Sequence, residues 1–179
     1  MGMNDITELV KVIENKETLK SSLRNGCDVF MVVNMNYISY RKGEQEICVV
    51  DNLAESICYA LTKNDKADPL WNATSKSLLK SVVFYLIESA YDFYEQTADT
   101  NRLASVTPLA IYNFIKHFGG NGELNEILKN SPYPLSIRAY EESNFDNKEL
   151  RNSIYCTLVD RISIFKESSL GCDYPLLSD

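Results

Sequence analysis

Asp68-Pro69-Leu70-Trp71 opens the longest apolar-striped segment of this chain, and no other stretch limits the possible folds as tightly. Asp68 can cap a helix through its carboxylate, and Pro69 suits the first helical position, where an N–H would go unpaired anyway. A helix therefore starts near Pro69. Trp71, Leu78, Leu79, Val82, Val83, Leu86, Ala90 and Phe93 follow at three- and four-residue spacing, with Asn72, Lys76, Lys80 and Glu88 mostly between them. The pattern predicts one face in a core and one in water, with the only tryptophan on the buried side.

Upstream, Ile6, Leu9, Val10, Ile13, Leu19 and Leu23 keep a helical period from Asp5 to about Arg24, and Asn25-Gly26 closes it. Val29 to Val33, the alternation Tyr37-Ile38-Ser39-Tyr40, and the run Ile47-Cys48-Val49-Val50 then predict two strands turned at Arg41-Lys42-Gly43-Glu44. Such a β-hairpin must pack on helices to be stable. Beyond Val50 the chain reads as helical. A short helix runs from Asp51 or Asn52 to Asn64, and Thr107-Pro108 starts another that stops at Gly119-Gly120. Shorter ones follow at Glu123 to Asn130 and Leu135 to Ser143. A last long helix from about Asn147 to Lys166 carries Leu150, Ile154, Leu158, Ile162 and Phe165 as a seam expected to pack on the Trp71 helix. Ser168 to Asp179 reads as an extended tail, pinned by Tyr174, Leu176 and Leu177. The expected architecture is mainly α, a multi-helix bundle with a small N-terminal β-hairpin. Residues 1–50 form the helix-plus-hairpin part, and residues 51–179 the helical bundle with its tail.

At 179 residues the chain can bury a core without staples. Its five cysteines (Cys27, Cys48, Cys58, Cys156, Cys172) are odd in number and contain no C-x-x-C pair, which points to a reducing cytoplasm. Charges interrupt Met1 to Glu17, so no signal peptide is expected there. The apolar run Val82 to Ile87 is far shorter than the roughly 20 residues a membrane span requires. The net charge of −7 and the lack of a basic stripe disfavour phosphate-backbone binding by this chain. Its 11 tyrosines and 7 phenylalanines are read first as amphipathic rings at the edge of a core, and second as an interaction surface.

Chemistry is hard to find in the sequence. There is no G-x-x-x-x-G-K-[ST] string, and the glycine cluster Gly119-Gly120-Asn121-Gly122 follows a helix and reads as its stop. The single histidine, His117, falls at a helix end and suits that helix's dipole better than a metal. No local signature pairs it with a nucleophile. Glu141 and Glu142 are adjacent on a helix, so their side chains diverge into solvent. No catalytic, cofactor-binding or metal-binding residue is assigned, no cofactor is expected, and the binding residues are unknown. A domain of this kind suits holding a partner rather than catalysis.

Three segments resemble the all-alpha domain of the type IV secretion coupling proteins, the TraG/TraD-like motors of conjugation. These are Leu53-Ala54-Glu55-Ser56-Ile57; Asp68-Pro69-Leu70-Trp71 leading to Ser77-Leu78-Leu79-Lys80-Ser81-Val82-Val83-Phe84-Tyr85-Leu86; and Asn152-Ser153-Ile154-Tyr155-Cys156-Thr157-Leu158 through Arg161-Ile162 to Phe165. Thr107-Pro108 also fits. The likeness covers Asp51 to Ser168, with Leu70 where the family favours phenylalanine. It implies a cytoplasmic substrate-recognition domain of a hexameric coupling ATPase, docking a relaxase, an accessory relaxosome protein or an effector. DNA is a further candidate partner in the parent complex. This chain holds neither the phosphate loop nor the acidic metal-binding strand of such a motor, so the implied ATPase activity does not carry over to it. A piece of a larger protein is the natural corollary. The alternative is a free-standing helical adaptor or regulatory protein that binds a protein partner.

Overall fold

A computed structural model describes residues 3–104, 106–119 and 122–171. Among them the chain forms ten α-helices and a closing 3-10 turn. In order these are α1 (Met3–Glu14), α2 (Lys16–Arg24), α3 (Met31–Arg41), α4 (Ile47–Thr62), α5 (Pro69–Thr97), α6 (Asn101–Ala104), α7 (Pro108–Gly119), α8 (Glu123–Lys129), α9 (Pro134–Glu142) and α10 (Arg151–Ile162), then the 3-10 turn Ser163–Glu167.

Local chemistry sets most of the helix boundaries. Asp68 accepts a hydrogen bond from Leu70 N at 2.8 Å with Pro69 in the first turn, so α5 starts where the sequence requires. Thr107 Oγ1 does the same for α7, accepting from Ala110 N at 3.2 Å. The expected single N-terminal helix is broken at Asn15, whose side chain accepts from Thr18 N and so caps α2. Asn147 Oδ1 accepts from Glu149 N in a turn, and α10 begins only at Arg151, later than the period alone predicts. Residues 172–179, including Tyr174, Leu176 and Leu177 of the expected tail, lie outside the described residues, as do Gly120 and Asn121.

The expected β-hairpin is absent, and both of its strands are helices. Phe30, Val33 and Tyr37 on one side, and Val50, Ala54, Ile57, Cys58 and Leu61 on the other, are buried at three- and four-residue spacing along α3 and α4. Packing one such stripe against a bundle outweighs the modest β preference of a short valine- and tyrosine-rich run. The expected turn is a helix stop instead. Glu44 N donates to Ser39 O at 2.8 Å and Gly43 N to Tyr40 O at 3.0 Å, with Gly43 at φ +79°. These are the two bonds of a Schellman motif, and it uses a left-handed glycine just as a hairpin turn does. The same pair, Cys27 N to Ser22 O and Gly26 N to Leu23 O, ends α2 at the predicted Asn25-Gly26.

Helix α5 occupies the centre, packed by α3, α4, α6, α7, α8, α9 and α10. From Leu78 to Phe84 every residue is buried, so this helix has no wet face over its middle turns. The two-faced expectation fails there for a specific reason: neighbouring helices bring partners for its polar residues. Lys80 is 5% exposed, and its ammonium meets Asp51 Oδ1 at 2.8 Å and Glu55 Oε2 at 2.9 Å on α4. Ser81 Oγ donates to Ser136 O, and Ser136 Oγ donates back to Ser81 O, clasping α9. Ile154, Leu158, Ile162 and Phe165 are fully buried, and α10 packs on α5 as its seam predicts. Burying four such side chains contributes roughly 6–12 kcal/mol before entropy is counted. Trp71 is only half-buried at the rim of this core, whose centre lies along Leu78 to Leu86.

Candidate functional site

The side chains weighed for chemistry in the sequence are scattered over separate elements. His117 lies in the last turn of α7 and meets Phe118 edge-on, ring centroids 4.7 Å apart. Glu141 and Glu142 are exposed at the end of α9. Cys48 and Cys156 are exposed, Cys27 is half-buried and Cys58 is fully buried, whereas Cys172 falls outside the described residues. Burial pushes the Cys58 thiol far above its ordinary range, so it is poorly suited to nucleophilic attack. Gly119 ends α7 directly under the Tyr155 ring of α10, close enough that any Cβ would strike that ring. Among the described residues, no group of three or more His, Cys, Asp or Glu side chains is arranged to hold a metal ion.

Two features that the sequence did not single out are richer. The first is the seam between α3, α5 and α9. Glu88, in the interior of α5 and 3% exposed, accepts from Ser136 N at 2.9 Å. Helix α9 starts with Tyr133 and Pro134 and has no cap of its own, so the α5 carboxylate satisfies an amide that the helix leaves open. Burial lifts this carboxyl to about 7, and the amides of Ser136 and Leu135 offset only part of the rise. On the open side stand Tyr37 and Arg41 of α3. Arg41 Nη1 donates to Tyr37 Oη at 3.0 Å, Nη2 donates to Glu95 at 2.9 Å, and the guanidinium lies 4.8 Å from the centroid of the Tyr91 ring. Glu88, Tyr37, Tyr40, Arg41 and Leu135 share a cavity of about 210 Å3. With its oxygen on the α9 backbone and the tyrosine held by arginine, the arrangement works as a clamp between three helices.

The second is a pocket of about 330 Å3 between the α2–α3 connection, α3, α6 and the segment at Leu170 and Gly171. Met31, Leu103, Ala104 and Leu170 give it apolar walls, and Asp28 and Asn34 line it as well. Asp28 Oδ1 accepts from Phe30 N at 2.9 Å, which shapes the entry to α3. Burial pushes the Asp28 carboxyl up to about 6. Asn34 Nδ2 donates to Leu103 O at 2.8 Å and ties α6 to α3. Met31 and Met35 leave about half of their surface exposed on the same helix, four residues apart and so on one face. Flexible thioethers on an open face are suited to adaptable contacts with a partner. A valine-rich run read as a strand spreads Met31, Asn34 and Met35 apart, and only the helix brings them to one region, so the strand pattern hides this site.

No family model, no curated protein and no solved structure matches this chain. Among the described residues, no helix is long and apolar enough to cross a membrane.

Proposed function

We propose that this chain is a recognition domain that holds a protein partner, and that it serves as the substrate-recognition domain of a conjugative coupling ATPase. The observation that carries this reading is a single guanidinium. Arg161, within the closing segment of the resemblance, donates through Nη1 to Thr62 O at the end of α4 (2.6 Å) and to Asn72 Oδ1 at the start of α5 (2.8 Å). Its contact with Trp71 O is longer, at 3.4 Å. Arg161, in the last of the resembling segments, thus ties together the end of α4, which carries the first, and the start of α5, which carries the second, and this shared tie supports a common packing for the three helices. Ser169 N donates to Leu23 O at 3.1 Å and Glu167 pairs with Arg24 at 2.8 Å, so the end of the resembling region is fastened to the end of α2.

In this reading the domain sits at the cytoplasmic mouth of a hexameric motor and docks a relaxase or an accessory relaxosome protein. With a net charge of −7, contact with protein takes precedence over contact with DNA. The exposed α3 face with Met31 and Met35 is the first candidate for the docking surface. Calorimetric titration of the domain with a purified cognate relaxase, with labelled transfer-origin DNA run in parallel at physiological salt, tests the reading. Saturable binding of the relaxase that Met31→Ser with Met35→Ser weakens is expected. Absence of relaxase and accessory-protein binding by the folded domain, or binding of DNA alone, would refute it.

A further inference from the structure

We propose that the pocket between α3, α6 and the Leu170–Gly171 segment is a binding site for a primary ammonium group carried on a short apolar stem. The inference does not depend on the coupling-protein reading. It starts from an imbalance in the pocket wall. Asp28 has one acceptor engaged, by Phe30 N, and no described cation pairs with its carboxylate. Asn34 Oδ1 is shut off from water and has no donor at all. The nearby polar hydrogens are already committed: Asn34 Nδ2 to Leu103 O, Thr107 Oγ1 to Gly171 O and Gly26 N to Leu23 O. Asn34 Oδ1 shows how short of donors this wall is but is closed to a ligand, so the acceptor the pocket offers is the Asp28 carboxylate.

Chemistry then selects among ligands. An anion would meet the Asp28 carboxylate, and an alcohol brings one donor and no charge. An ammonium brings three donors and the compensating charge, and charge-assisted hydrogen bonds are the stronger kind. The α3 N-terminus lies beside Asp28 and its dipole opposes a cation, but a partial charge at a helix end counts for less than a carboxylate in direct contact. Met31, Leu103, Ala104 and Leu170 supply the surface for an aliphatic stem. A volume of about 330 Å3 stands at the small end of ligand pockets, so the stem is short. Burial has driven Asp28 toward neutrality, and a cation beside it would restore the ionised form.

Methionine-methyl NMR gives the test, because Met31 lines the pocket and Met35 does not. The full chain labelled at its four methionine methyls is titrated with n-pentylamine, pentan-1-ol and pentanoate, the Met31 signal being assigned from Met31→Leu. A saturable shift of the Met31 methyl by pentylamine is expected, with the alcohol and the carboxylate at least tenfold weaker. Asp28→Asn keeps the acceptor for Phe30 N, so the fold is retained, and it should weaken the amine at least tenfold. N-acetyl-lysinamide as competitor separates the two sources of this chemistry. Competition identifies a partner's lysine side chain, and failure to compete identifies a free small amine. The proposal is overturned if the three pentyl compounds titrate alike, if Asp28→Asn leaves amine affinity unchanged, or if no saturable shift appears at Met31. Amine binding that appears only after residues 172–179 are removed would also overturn it, by assigning the pocket to the chain's own end.

Discussion

Replacing Glu88 with glutamine should make this protein more stable at pH 8 and leave it nearly unchanged at pH 5. A carboxyl lifted from 4.5 to about 7 in the folded chain favours its neutral form there by roughly 3 kcal/mol. Glu88 is 3% exposed, so solvent does little to reduce that figure. The direction follows from proton counting. Between 4.5 and about 7 the folded chain keeps a proton that the unfolded chain has released, so stability falls as pH rises. The contribution is whole below pH 4.5 and gone above about 7. Asp28, lifted from 3.8 to about 6, acts in the same direction over a lower window. Glu55 and Asp146, held below their ordinary range by lysine partners, act oppositely but only at more acidic pH. Glutamine is the neutral analogue: it keeps an acceptor for Ser136 N and cannot titrate. Urea unfolding followed by far-UV circular dichroism at pH 5, 6, 7 and 8 reads the effect. Wild type should lose roughly 4 kcal/mol across that range, and Glu88→Gln should remove about two-thirds of it. A wild-type curve that is flat or rises with pH, or a Glu88→Gln variant with the full wild-type slope, would refute the assignment of a proton to this carboxyl.

Gly119→Ala should cost about 1–3 kcal/mol, because the new methyl strikes the Tyr155 ring, and Tyr155→Ala in the same chain should recover part of that loss in a double-mutant cycle. Strict additivity of the two changes would show that the close approach is not what requires glycine. Asp68→Ala should cost about 1 kcal/mol by removing the acceptor for Leu70 N, whereas Asp68→Asn should cost less than half of that; equal losses would point to charge and not to capping. Under native conditions Cys48 and Cys156 should react with a thiol reagent while Cys58 reacts only on unfolding, which mass spectrometry of the labelled peptides can resolve. Fast native labelling of Cys58 would mean that α4 opens far more readily than its packing implies.

What could be read from the sequence and what could not divides along a physical line. Asp68-Pro69, Thr107-Pro108 and Asn25-Gly26 announce helix ends because each solves a problem of its own backbone within a few residues. The failures arise where the answer lies on another element. Val29 to Val33 and Ile47 to Val50 are apolar runs too short to fix a period, and Gly43 serves a hairpin turn and a Schellman stop equally well. The spacing Phe30, Val33, Tyr37 was present in the sequence, and weighing it above the alternation of four residues would have given α3. Lys80 and Glu88 look like a wet face of α5, since nothing near them in sequence reveals that α4 supplies carboxylates to one and α9 supplies amides to the other. The same reasoning explains why the pocket at Asp28 and Asn34 was out of reach. Its walls come from positions near 28, 103 and 170, which only the finished fold brings together. A central helix with charged groups at full burial must be enclosed by partners, and partner choice is a tertiary property. Such positions, where local polarity and observed burial disagree, are therefore where this fold is most sensitive to pH and to single substitutions: Glu88 is buried with its carboxyl lifted toward neutrality, and the half-buried Asp28 shows the same shift to a smaller extent.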